Sequence, residues 1–225
     1  MSSKSKCSPL SSIGQKQVMA VTGLLLCGFL VTHMLGNFTL LIGSDAFNKY
    51  SHALTSNPLI YLAEVGLALL FISHIVMAFR VIIANKKARP TPYHTYTKSG
   101  RGGTFASATM AYSGVIALVF LVFHILGLKF GTHYSTIVGG VEMRDIYKTT
   151  VEYFQGSTLH LAGYLIAVIA LGIHTSHGFW SAFQSLGFNH PKYNPKIELL
   201  STLFGFYVAI GFSIFPIFCY FQGGH

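Results

Sequence analysis

The chain has 225 residues, of which 52% are hydrophobic and only 9% charged. A soluble domain carries about 25% charged residues, so this composition excludes a large soluble core and indicates a membrane protein. The net charge of +9 calls for no nucleic-acid partner, because its distribution along the chain is a membrane-topology signal.

In chain order, residues 1–17 form a polar lead. Five apolar stretches follow, at residues 18–42, 59–84, 105–128, 159–183 and 197–221. Each exceeds the roughly 20 helical residues that cross a hydrocarbon core of about 30 Å. Backbone groups in lipid must be satisfied within their own segment, so these spans are helices. The first is too long for a signal-peptide core, lacks a clear cleavage site and holds Thr22, Thr32 and His33, so it reads as a retained span. Asn57 and Pro58 start the second helix as a cap residue followed by a proline. A basic loop rich in Pro and Gly runs from residue 86 to 103, and the loop from 129 to 157 carries an expected interfacial helix over 142–154. Residues 189–195 form a turn-rich connection, and Pro216 is a possible kink in the last helix. The reading is one all-α membrane domain over residues 1–225, with five transmembrane helices.

When alternate loops are assigned to opposite sides, Lys4, Lys6, Lys16, Arg80, Lys86, Lys87, Arg89, Lys98, Arg101, Lys192 and Lys196 share one side. Lys49, Lys129, Arg144 and Lys148 share the other. The positive-inside rule places the larger group and the N-terminus in the cytoplasm and, after five spans, the C-terminus outside. Contacts to membrane lipid head groups fit the basic side.

Four of the eleven histidines lie deep in the first four helices: His33, His74, His124 and His174. A polar ring inside a bilayer is costly, and one per helix points to a functional set rather than to separate interhelical hydrogen bonds. At about 1.5 Å per residue, His33 stands roughly 24 Å from the cytoplasmic edge and His124 is near the same outer level. The second and fourth helices run inward, which puts His74 and His174 near the cytoplasmic side. Two pairs result, His33 with His124 and His74 with His174. Neutral imidazole suits iron, haem takes axial ligands on opposite faces, and helical bundles hold haem between facing side chains. The first four helices therefore read as a bundle for two haem b groups, with these four histidines as axial iron ligands.

The three cysteines, Cys7, Cys27 and Cys219, form no CxxC or CxxCH, so a four-cysteine iron–sulfur site on this chain alone is excluded and c-type haem attachment is not indicated. Small residues flank the histidines at Gly28, Gly36, Gly66, Gly114, Gly127, Gly163, Gly172 and Gly178, where they admit either a flat macrocycle or a neighbouring helix. His177 competes with His174 as a ligand, and His160 either serves the outer site or hydrogen-bonds a loop. Glu64, a carboxylate within the second span, either accepts a quinol proton or snorkels to the outer interface. Arg101, Ser107 and Lys16 are candidate propionate partners on the inner side.

The sequence also resembles a known family. The residues that carry the resemblance are Met19-Ala20-Val21-Thr22-Gly23, His33-Met34-Leu35-Gly36-Asn37, Ala46-Phe47-Asn48-Lys49-Tyr50, Ala63-Glu64-Val65-Gly66, Ala88-Arg89-Pro90 and Ser99-Gly100-Arg101-Gly102-Gly103. They continue with Leu121-Val122-Phe123-His124, then Gly172-Ile173-His174-Thr175-Ser176-His177-Gly178-Phe179-Trp180-Ser181, and Gly187-Phe188-Asn189-His190-Pro191. In order and spacing this resembles the cytochrome b subunit of succinate dehydrogenase and fumarate reductase, in the five-helix di-haem form.

The resemblance implies bis-histidine ligation with the pairing above, and His174 rather than His177 as the ligand. It also implies flavoprotein and iron–sulfur partner subunits on the cytoplasmic face, a quinone substrate, commonly menaquinone, near the outer haem, and a bacterial cytoplasmic membrane location. Some relatives carry a glutamate two residues before the fourth-helix ligand; here that position is Gly172, which puts a carboxylate proton path along this helix in doubt. Two other readings compete. A cytochrome b subunit of a hydrogenase or formate dehydrogenase would co-purify with different partners. A haem-free transporter or channel with histidine proton relays would be colourless.

Overall fold

The computed structural model describes residues 11–88 and 105–222. Its first helix, α1, spans Ser12–Ile42, and α2 spans Ser44–Thr55. Then come α3 (Leu59–Ala88) and α4 (Phe105–His124), which passes into a π-helical turn over Ile125–Lys129. Strands β1 (Ser135–Val138) and β2 (Val141–Arg144) form a hairpin, followed by α5 (Ile146–Phe154), α6 (Thr158–Ser185) and α7 (Asn194–Phe221). Five of these elements are long and apolar enough to cross a membrane, at Ser12–Ile42, Leu59–Asn85, Thr109–Lys129, Thr158–Ser185 and Asn194–Phe221. They match the five sequence-based spans, and the protein is a multi-span integral membrane protein.

The helix ends follow from local chemistry. The Ser11 side chain accepts from Gly14 N at the start of α1, and Asn57 Oδ1 accepts from Leu59 N at the start of α3, as the Asn-Pro pair implied. Asp145 caps α5 by accepting from Lys148 N, and Ser157 caps α6 by accepting from His160 N. The helix expected over 142–154 begins only at Ile146. Glu142 and Arg144 belong instead to the hairpin, in which Ser135 pairs with Arg144. Gly139 and Gly140 at its tip have φ of 62° and 81°, the left-handed pair that a two-residue hairpin turn requires. Helix α7 continues through Pro216 to Phe221.

Helices α6 and α7 pack closely because a glycine of each stands where they cross. A Cβ on Gly172 would lie 2.7 Å from both Ala209 Cβ and Gly205 O, and one on Gly205 would lie 2.6 Å from Ser176 Cβ. The backbone of α7 thus occupies the space that a larger residue at position 172 would need. Helix α1 packs on α3, α6 and α7, whereas α4 rests on α6. Among the described residues, α3 and α4 make no extensive contact with one another. The first four spans are therefore two packed pairs, α1 with α3 and α4 with α6, joined through α1 and α6.

A cap of α2, the hairpin and α5 covers the bundle end at which α1 and α4 finish. The buried Asn48 ties it together: Asn48 Nδ2 donates to Asp145 Oδ1 at 2.9 Å, and Tyr147 N donates to Asn48 Oδ1 at 2.9 Å. Arg144 donates to Lys129 O (2.9 Å) and Leu128 O (3.1 Å), satisfying carbonyls that the end of the π-turn leaves open, and burial pulls its guanidinium below the ordinary arginine range. Tyr134 donates to Glu152 Oε2 at 2.6 Å, a bond that raises its phenol above the ordinary value. The main apolar core lies beneath this cap and includes Met34, Leu40, Phe47, Phe154, Tyr164, Phe215 and Cys219.

Candidate functional site

The four intramembrane histidines meet across the bundle in the two pairs expected from depth. Nearer the cap, the rings of His33 on α1 and His124 on α4 have centroids 5.8 Å apart and planes at 86°. Nearer the opposite, open end, His74 on α3 and His174 on α6 have centroids 6.4 Å apart and planes at 78°. Each pair joins one helix from each packed pair of helices, and all four rings are half-buried. A metal ion held between two imidazoles, with bonds of about 2 Å and about 1 Å more from each nitrogen to its ring centre, needs centroids about 6 Å apart. Both pairs have that spacing.

Hydrogen bonding fixes the tautomer at the open end. Thr22 Oγ1 donates to Val18 O (2.8 Å) and Met19 O (3.1 Å), so its single proton is committed to the main chain. The same oxygen is 3.2 Å from His74 Nδ1 and therefore accepts from an Nδ1–H. Ser113 repeats this: its Oγ donates to Met110 O at 3.1 Å and lies 3.3 Å from His174 Nδ1. With the proton on Nδ1, each Nε2 is a bare lone pair. A metal-ligating histidine is oriented and made more basic in the same way by a partner at its other nitrogen.

Glycines make this approach possible. A Cβ on Gly23 would stand 3.2 Å from His74 Cε1, and one on Gly114 would stand 3.3 Å from His174 Cε1. Near the cap, the Tyr164 hydroxyl lies 3.4 Å from His124 Nδ1, and Phe29 stacks on His33 with centroids 5.2 Å apart at 15°. Phe120 and Phe212 complete an aromatic surround for this pair.

The remaining candidates fall outside the pairs. His177 lies on α6 and, among the described residues, faces no other histidine ring. His160 Nδ1 is 2.6 Å from Tyr153 O, and its ring stacks on Tyr153 at 4.2 Å, so it takes the hydrogen-bonding role, towards α5. Glu64 is exposed and its Oε1 lies 2.6 Å from Lys129 Nζ at the end of the π-turn. Lys16 is exposed on the first turns of α1, while Arg101 and the side chain of Ser107 lie outside the described residues.

The chain is similar to the succinate dehydrogenase cytochrome b558 subunit of Bacillus subtilis (strain 168). The two are 24% identical over 185 residues, which cover 82% of this chain and 84% of the relative. No family model matches, and no solved structure matches. This is a distant likeness, and what the fold itself shows is an all-α chain with five membrane-spanning helices.

Thr22, Ser113, Tyr164 and Lys129 were not singled out as functional from sequence. A signal for the first two was present. Met19-Ala20-Val21-Thr22-Gly23 recurs as Met110-Ala111-Tyr112-Ser113-Gly114, and each is followed ten residues after its glycine by a histidine, His33 or His124. This long-period repeat relates α1 to α4. On α3 and α6, Ala78-Phe79 and Gly178-Phe179 likewise follow His74 and His174 at equal spacing.

Proposed function

We propose that this chain is the di-haem cytochrome b membrane anchor of a succinate:quinone oxidoreductase, acting in either the succinate dehydrogenase or the fumarate reductase direction. The observation that carries the proposal is the two facing imidazole pairs at metal-spanning distance, with Nδ1 atoms directed to hydroxyls in the open-end pair. His74 and His174 would hold one haem b and His33 and His124 the other. Bound there, the two groups supply one-electron carriers at two depths in the membrane.

The chain's own residues do the rest. Thr22 and Ser113 hold the open-end imidazoles in the ligating tautomer, and Gly23 and Gly114 let those rings sit against the helix backbones. Gln184 Nε2, buried on α6 towards the open end without a hydrogen-bond partner among the described residues, is a fitting donor for a haem carboxylate. The open end, which receives most of the basic residues, faces the cytoplasm and the flavoprotein and iron–sulfur subunits of a bacterial membrane complex. The cap faces outward. Beside it, Glu64 takes up the proton of a quinol, menaquinol by family resemblance, and Lys129 pairs with its carboxylate. Gly172 is filled against α7, so a proton route through a carboxylate at that position is absent from this reading.

The test is purification of the native complex. Two b-type haems per chain, seen as a reduced-minus-oxidised spectrum, together with co-purifying flavoprotein and iron–sulfur subunits active on succinate or fumarate, are the expected result. A colourless protein, or a haem protein bound to a hydrogenase or formate dehydrogenase, would overturn it.

A further inference from the structure

The two imidazole pairs differ in what stands behind their rings. At the open end both Nδ1 atoms face aliphatic hydroxyls on α1 and α4. Near the cap, His124 Nδ1 faces the phenolic oxygen of Tyr164 on α6, and the Tyr164 ring packs edge-on against Tyr153 of α5. The Tyr164 ring is buried and locked edge-on between Phe120 (4.9 Å) and Phe154 (4.6 Å), so its hydroxyl is held in place. The long-period repeat makes the contrast sharper. Tyr164 stands ten residues before His174, the place that Glu64 holds before His74. At equivalent positions, one half of the bundle directs a phenol at an imidazole and the other directs a carboxylate at Lys129.

We propose that Tyr164 is a positioning residue that sets the redox potential of the cap-end haem alone. The inference rests on the haem reading above. Ligation through Nε2 requires the proton on Nδ1, so the Tyr164 oxygen must accept from His124 Nδ1–H. An acceptor at that nitrogen makes the imidazole a stronger electron donor, which favours the oxidised iron and lowers the potential. The open-end pair has no part in this contact, so the effect is confined to one of two otherwise similar sites.

Tyr164→Phe keeps the buried ring and removes only the oxygen. The experiment is a potentiometric titration of the purified complex, following the two haems by their absorbance. Loss of one hydrogen bond should change the oxidised-to-reduced ratio of the cap-end haem roughly fivefold at fixed potential. That equals an upward midpoint shift of about 40 mV for a one-electron couple. The open-end midpoint should stay in place. Two haems with unmoved midpoints, or with both shifted equally, would overturn the proposal while leaving the haem reading intact. A wild-type complex without b-type haem would overturn both. Should Tyr164→Phe lose the cap-end haem, 3-fluorotyrosine at position 164 decides, since it keeps the ring and hydroxyl but makes the oxygen a weaker acceptor: a smaller upward shift of the same haem supports the proposal, and no shift overturns it.

Discussion

Adding a single methyl group at Gly114 tests how the open-end site is built. In Gly114→Ala the new Cβ would stand 3.3 Å from His174 Cε1 and 3.6 Å from Nδ1. Carbon atoms pack best at about 3.5–4.0 Å, so the ring must retreat by a few tenths of an ångström. Its Nδ1 is already 3.3 Å from Ser113 Oγ, and that retreat carries the contact beyond hydrogen-bonding distance. The loss of one such bond is worth about 0.5–1.5 kcal/mol, or roughly two- to tenfold in retention of whatever the ring ligates. Gly23→Ala should act equally on His74, since its Cβ would stand 3.2 Å from that ring. The assay is the rate of haem release on mild heating, followed separately at the two haem bands. Both variants should accelerate release from the open-end site and leave the cap-end site at the wild-type rate. Acceleration at the cap-end site, or none at either, would refute the idea that these glycines seat the open-end ligands.

Glu64→Gln should abolish quinone-linked turnover and spare dye-linked succinate oxidation by the complex, because the amide still reaches Lys129 but takes no proton; unchanged quinone activity would remove Glu64 from the quinone site. Asn48→Ala leaves the Tyr147 N–H without its acceptor beneath the cap and takes one donor from Asp145, at a cost of about 1–3 kcal/mol. It should lower the thermal midpoint of the complex without displacing either haem band, as read by circular dichroism and visible absorbance together.

The spans were legible because a bilayer imposes a length and a composition that few other contexts produce, as the near-coincidence of residues 59–84 with α3 illustrates. The histidine pairs were legible because helix direction and rise convert sequence position into depth. The cap was harder to read. Helices α2 and α5 are short and amphipathic, and their stability comes from the Asn48–Asp145 contact between segments far apart in sequence. The hairpin did carry a local signal, two glycines between Val138 and Val141, but it lay beside an acidic stretch that resembled the start of a helix. Asp145 was the actual cap residue of that helix. Thr22 and Ser113 read as ordinary small polar residues of packed helices until the repeat around them is noticed. Lys129 could not be assigned to Glu64 from sequence, because the pairing depends on how the π-turn brings the end of the third span towards α3.

The account turns on four rings forming two independent iron sites, and ligand replacement measures that most directly. In the purified complex, His74→Ala should remove the open-end haem and His124→Ala the cap-end haem, each leaving one b-type haem per chain with its midpoint close to the wild-type value. Two low-spin haems retained in both variants would contradict the assignment of these histidines as ligands.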